Sequence, residues 1–213
     1  FKEELTGPEF AHRFREMVEK DKNIKVLTNT LVTTFGEKKV SVIGEKGAFD
    51  ISFKACVIAM GCRERTAGNI NLNGTRTMGE LTAGPAQKMV QISGKMVGKD
   101  IVILGSGDIG LIMARRLTLE GARLHAVFEI NSTSSGLRRN ILQCFDDFNI
   151  PLYYNTTIFA VVGKDRVEGV YYCELDEHCN KKEETKTCIK CDTVILSFGL
   201  IQDRTNFTEI TEN

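Results

Sequence analysis

Apolar positions fall in short runs broken by polar or glycine-bearing turns, and their spacing switches between helical and strand periods. Residues 8–21 place Phe10, Phe14, Met17 and Val18 on one side of a helix. Residues 24–34, 39–44 and 49–53 have the alternation and turn boundaries of a strand meander. The run 55–60, ACVIAM, is apolar throughout and stops at Gly61, as a buried strand would. From 62 to 99 the chain is rich in Gly, Thr, Asn and Arg, with a helix expected over about 85–91. That stretch predicts a connector and a domain boundary.

The richest pattern follows. Ile101-Val102-Ile103-Leu104 breaks into Gly105-Ser106-Gly107-Asp108-Ile109-Gly110, then an amphipathic stretch over 111–120, Gly121, and a second strand-like run ending in Glu129. Strand, glycine turn, helix, strand and terminal acid is the order a dinucleotide site needs. Gly105 lets the chain leave the strand in a tight turn, Gly107 lets a pyrophosphate approach the backbone, and Gly110 lets the helix pack closely on the sheet. The first helical N–H groups have no internal partner and favour an anion. The expected cofactor-binding set is therefore Gly105, Ser106, Gly107, Asp108, Ile109 and Gly110, with Glu129 as an acceptor for the adenosine ribose. A carboxylate there repels a 2′-phosphate, and residues 130–133 supply no cation, so NAD is favoured over NADP. Arg138 and Arg139 come later and read as a solvated helix face.

Beyond this unit, Ser134-Ser135 precede a helix expected over 136–148, and 151–154 reads as a third parallel strand. Strand-like segments at 158–162, 166–175 and 184–189 lead to 193–199, TVILSFG. The 213 residues suit one or two domains, and 28 acidic residues balance 28 basic ones. That balance gives no pointer to nucleic acid or an anionic membrane. No apolar run is long enough to span a bilayer, and seven scattered cysteines suit a reducing compartment, so a cytoplasmic location is expected. Cys188-Ile189-Lys190-Cys191, near Cys173, His178 and Cys179, matches no metal-knuckle spacing and reads as strand cysteines. The histidines, His12, His125 and His178, lie on different elements and read as structural. No tyrosine is followed four residues on by a lysine, which argues against a single-domain dehydrogenase that binds substrate directly.

CVIAMG at 56–61 and VILSFG at 194–199 form a faint repeat, each an apolar strand ending at glycine after a polar meander. The first copy lacks a glycine fingerprint, which is expected to lie upstream of Phe1. With ELTGPEF (4–10), VIAMGCRERT (57–66), GSGDIGLIMARRLTLEGA (105–122) and CDTVILSFGLI (191–201), the chain resembles the two-dinucleotide-binding-domain flavoproteins, which include thioredoxin and glutathione reductases. It is similar above all to the alpha subunits of sarcosine oxidase, opine oxidase and hydrogen cyanide synthase. The resemblance implies an α/β fold. A Rossmann-like NAD-binding domain over 74–192, with parallel sheet and β-meander, would join a partial FAD-domain segment of helix and meander over 1–73. Residues 193–213 would return into the FAD domain.

The same resemblance sets Gly61 and Gly199 at cofactor-facing turns. It implies hydride transfer between NAD(H) and flavin, with FAD held by the full-length protein, and a small-molecule substrate or electron-acceptor subunit as partner. Cys62-Arg63-Glu64-Arg65 reads equally as a segment whose Arg63 or Arg65 meets phosphate or the flavin edge and as a charged linker with an internal ion pair. Disulfide reductases of this kind use a Cys pair close to the flavin. Only Cys144 stands beside the nucleotide helices, which favours an amine or hydroxy-acid dehydrogenase. The rival reading is a non-catalytic NAD-binding sensor or subunit-bridging module. An unpaired strand around Val57 would favour a homodimer.

Overall fold

The structure, a computed structural model, describes residues 2–145 and 147–202, and of Phe145 only the backbone. The chain divides into two compact units between Met60 and Gly61.

The smaller unit opens with α1 (Gly7–Lys20), which starts where Thr6 and Glu9 form a capping box. The Thr6 N–H donates to Glu9 Oε2 at 2.8 Å, and the Thr6 hydroxyl accepts from the Glu9 N–H. A three-stranded antiparallel meander follows, β1 (Leu31–Phe35), β2 (Lys39–Gly44) and β3 (Gly47–Ser52). Val40 and Val42 alternate on its buried face. Of the strand expected over 24–34, only the part from Leu31 forms. Asn29, in the left-handed region at φ 51°, turns the chain just before it.

The expected buried strand at 55–60 is absent: these residues are exposed and have no ladder, and Val57 is 91% exposed. An apolar run becomes a strand only beside a neighbour that takes its N–H and C=O groups. No strand among the described residues pairs with it.

The larger unit begins with β4 (Cys62–Glu64), a 3-10 turn (Ala67–Ile70) and β5 (Asn73–Gly74). Then come β6 (Glu80–Thr82), α2 (Ala83–Gln91), β7 (Asp100–Leu104), α3 (Asp108–Leu119), β8 (Arg123–Phe128), α4 (Arg138–Phe145) and β9 (Leu152–Tyr153). The meander β10 (Thr156–Gly163), β11 (Val167–Glu174) and β12 (Thr187–Ile189) leads to β13 (Thr193–Leu196) and β14 (Leu200–Gln202). A five-stranded parallel sheet has the order β6-β13-β7-β8-β9, and a second sheet has the order β12-β11-β10-β5. β4 and β14 pair antiparallel.

Alternation along the parallel strands decides which layer each side chain joins. Ile101 and Ile103 of β7, Val127 of β8 and Ile195 of β13 face the helices, against Ala83 and Ala86 of α2 and Leu111, Ala114 and Leu117 of α3. Val102, Leu104, Phe128, Val194 and Leu196 face the meander, against Ile158, Val161 and Val170. Such a sheet, buried on both sides, needs near-continuous apolar strands, as β7 and β13 are. The fold is thus the α/β arrangement of parallel sheet and meander that the sequence implies. Two boundaries differ. The units part at 60/61 rather than 73/74, and Thr193–Leu196, expected to open a return segment, is an inner strand of the parallel sheet, hydrogen-bonded to both β6 and β7.

Candidate nucleotide-binding site

β7 delivers the chain to the glycine turn at the carboxyl edge of the parallel sheet. Gly105 sits at φ +106°, and a Cβ there would lie 2.1 Å from the Ser197 carbonyl oxygen at the end of β13. No larger residue fits without moving backbone. Gly110 has an ordinary helical backbone, but its Cβ would lie 2.3 Å from the Gly105 carbonyl oxygen. Gly107 is different. It is the N-cap of α3, no side chain caps the helix, and a Cβ would meet only Ser135 Oγ, at 3.6 Å. Two glycines are dictated by packing, and the third leaves a surface open.

The first backbone bond into the helix runs from the Leu111 N–H to the Gly107 carbonyl at 3.0 Å. The N–H groups of Asp108, Ile109 and Gly110 therefore have no partner within the 12-residue helix and stand at its positive end. Ile109 is 41% exposed beside them. This is an anion seat of the kind a diphosphate fits.

Glu129 ends β8 as expected, yet its carboxylate is turned inward. Oε2 accepts from the Ser106 N–H at 3.0 Å and the Ser106 hydroxyl at 2.6 Å. Oε1 accepts from the Asn131 N–H at 3.0 Å and Asn131 Nδ2 at 2.9 Å. Ser106 is wholly buried and Glu129 is 5% exposed. Asp108 also faces the segment after β8: its Oδ1 accepts from the Leu137 N–H at 2.7 Å and Asn140 Nδ2 at 2.8 Å. The Leu137 N–H, and then Asn140, hold its carboxyl below the usual range. Ser134 Oγ donates to the Ser106 carbonyl at 2.6 Å, so residues 131–140 strap the glycine turn in place.

A cavity of about 330 Å3 lies past the carboxyl ends of β7 and β13. Leu104 and Ile130, which flank the turn and Glu129, line it together with Phe198 and Phe159. Its charged lining residues are Arg65 and Lys181, both cations. A crevice at the carboxyl edge, where the order reverses between β13 and β8 on either side of β7, is where open α/β sheets bind ligands. Gly199, at φ +107°, follows Phe198, and its carbonyl accepts from the Arg65 N–H at 3.1 Å. Gly61, at φ +77°, lies outside the cavity lining and has no heavy atom within 4 Å of a Cβ position. Of the expected set, Gly105 to Gly110 and Glu129 come together, Gly199 is next to the lining residue Phe198 and bonded to Arg65 without lining the cavity itself, and Gly61 does neither. Sequence reasoning gave no role to Asn131, Ile130 or Phe198. Their only signal is position, directly after Glu129 and at the end of β13.

The other polar groups have partners elsewhere. His125 Nε2 lies 2.8 Å from Asp100 Oδ1, at the opposite edge of the sheet. Cys144 is buried, its thiol donates to the Leu111 carbonyl at 2.9 Å, and burial raises its pKa. Burial also pushes the Cys191 thiol up to about 12, while Cys188 is exposed on β12. Among the described residues no group of three or more His, Cys, Asp or Glu is placed to hold a metal ion.

The chain matches the model of the pyridine nucleotide-disulphide oxidoreductase family over residues 2–211. Among solved structures it is similar to T. acidophilum thioredoxin reductase, at 17% identity and TM-score 0.69, covering 95% of this chain and 62% of that one. L. lactis thioredoxin reductase gives 16% identity and TM-score 0.68, covering 97% of this chain and 64% of that one. The NAD-dependent persulfide reductase from A. fulgidus gives 21% identity and TM-score 0.62, covering 90% of this chain and 35% of that one. At such identities the likeness is one of fold. The chain spans about three fifths of the two thioredoxin reductases and about a third of the persulfide reductase. A comparison with curated proteins found no match.

Proposed function

The chain belongs to the pyridine nucleotide-disulphide oxidoreductase family, and from that premise we propose that its larger unit holds NAD(H) at the glycine turn for hydride exchange with a flavin. Family membership makes it part of an oxidoreductase whose relatives use FAD and a nicotinamide nucleotide. The observation that carries the finer reading is the N-terminus of α3, which no side chain caps and where a Cβ on Gly107 would meet only Ser135 Oγ.

The residues present fit a dinucleotide. Three N–H groups with no partner within α3 seat a diphosphate, the open face of Gly107 admits it to backbone distance, and Arg65 adds a cation at the cavity wall. Leu104, Ile130, Phe159 and Phe198 give an apolar wall that displaces water from a flat ring. Bound there, a nicotinamide supplies or accepts a hydride, chemistry that belongs to the cofactor. The chain's own part is to bind, orient and dehydrate. The carboxylate of Glu129 beneath the turn disfavours a 2′-phosphate, which selects NAD over NADP.

Within this reading, Cys144 and Cys191 are not a redox pair. A resolving thiol must ionise, and burial opposes that at both Cys144 and Cys191. The finer kinship with sarcosine oxidase-type alpha subunits, and an amine or hydroxy-acid substrate, belong to the same proposal. Calorimetric titration with NAD, NADP and FAD in parallel tests it. One NAD per chain, bound more tightly than NADP, is expected, and heat from neither pyridine nucleotide refutes it. NADH reduction of the flavin in the flavin-loaded protein then separates a dehydrogenase from a binding module.

A further inference from the structure

Glu129 occupies the place where an acid is expected to grip the adenosine ribose, but its carboxylate has no acceptor left to offer. An ionised carboxylate has about four lone-pair sites, and four donors fill them. Ser106 supplies its N–H and hydroxyl to one oxygen, and Asn131 supplies its N–H and side-chain amide to the other. The group is also 5% exposed, beneath a wholly buried Ser106. A ribose diol that displaces a Ser106 donor leaves it unpaired in a buried place, which costs more than an exposed hydrogen bond returns, and one that displaces the exposed Asn131 breaks the clamp on the segment after β8.

We infer that Glu129 is a positioning residue: it clamps Ser106 and Asn131 so that the glycine turn and the residues after β8 keep the shape that receives the nucleotide, and it does not ligate the ribose. This rests on the nucleotide-binding reading above. The turn is held from two sides. The charge of Glu129 anchors the Ser106 amide from below, and the Ser134 hydroxyl anchors the Ser106 carbonyl from the strap. With the acid in place, the peptide on either side of Ser106 is fixed, and with it the direction of the α3 amides that follow. Charge-assisted bonds of this kind are the strong ones, so the clamp sets the geometry before any ligand arrives.

The decisive comparison is between NAD and its 2′-deoxyadenosine analogue, on wild-type chain and Glu129→Gln. The introduced side-chain amide sets an NH2 group against one pair of donors and satisfies only half of the clamp. The inference expects a lower Tm for the ligand-free variant and a Kd raised about tenfold for both nucleotides. The ratio between the two Kd values stays as in wild type. A ligand-free Tm equal to wild type, a Kd for NAD unchanged below the transition, or a ratio that collapses to unity in the variant overturns it.

If Glu129→Gln does not fold, Ser106→Ala and Asn131→Ala each remove one side-chain donor from one carboxylate oxygen and carry the same comparison. If wild type binds neither pyridine nucleotide, the proposed function fails. The ligand-free Tm of the three variants still decides the clamp.

Discussion

Alanine at Gly105 and alanine at Gly107 separate folding from binding two residues apart. At Gly105 the methyl carbon would lie 2.1 Å from the Ser197 carbonyl oxygen and 2.6 Å from its carbon, on a backbone at φ +106°. The neighbours are backbone at the end of an inner strand and cannot swing aside. Holding a non-glycine residue in that region costs about 1–3 kcal/mol, and overpacking costs about 1–3 kcal/mol more. Taken midway, Gly105→Ala loses about 4 kcal/mol, a Tm drop of about 8–16 °C in a unit of this size.

At Gly107 the backbone has φ −66°, and the methyl meets only Ser135 Oγ at 3.6 Å, an ordinary contact. The folding cost is that of a poorer N-cap, about 0.5–1 kcal/mol. The methyl stands where the diphosphate approaches the amides, and a lost charged hydrogen bond of about 1.5–3 kcal/mol weakens NAD by about tenfold or more. Differential scanning calorimetry of both variants, with NAD titration of Gly107→Ala, reads both effects. Gly105→Ala as stable as wild type, or Gly107→Ala binding NAD as wild type does, refutes the reasoning.

Other consequences are as concrete. The Asp108 carboxyl is held low by the Leu137 N–H and by Asn140, so its contribution is present above about pH 4, the ordinary range for Asp, and is lost as pH falls through the lower folded value. Asp108→Asn is therefore expected to differ from wild type in Tm at pH 7, with the gap closing on acidification; a constant gap contradicts the strap. The Glu64 carboxylate accepts twice from the Gly84 N–H, at 3.0 and 2.9 Å, at the start of α2. Glu64→Ala should cost about 1–2 kcal/mol, seen as a lower Tm of the larger unit, whereas an unchanged Tm would deny the contact any weight. Thiol labelling of the native chain followed by mass spectrometry should modify the exposed Cys56, Cys62, Cys179 and Cys188 and spare Cys144, Cys173 and Cys191 until unfolding. Native labelling of Cys191, whose thiol sits at about 12, would contradict its burial.

The parallel sheet was legible because both of its faces are buried, which writes near-continuous apolar runs at 101–104 and 193–196. The glycine turn was legible because packing against Ser197 admits nothing larger at 105. An apolar run alone did not suffice at 55–60, where the missing information is a partner strand, a long-range property that composition does not carry. The short β4–β14 pair, Cys62–Glu64 with Leu200–Gln202, has the same cause: each strand has three residues and no period to read. At the site, the residue types were readable but the bond directions were not. Glu129 looks the same in sequence whether its carboxylate faces a ribose or Ser106. Only the approach of Asn131 and Ser106 in space decides it.

Amide chemical shifts recorded while NAD is titrated into the isotope-labelled chain test the nucleotide seat most directly. The largest shifts are predicted at the N–H groups of Asp108, Ile109 and Gly110, with Leu104, Ile130 and Phe198 following at the cavity wall. Saturating NAD that leaves those three amides unmoved, or that perturbs only residues away from the carboxyl edge of β7, would contradict the account.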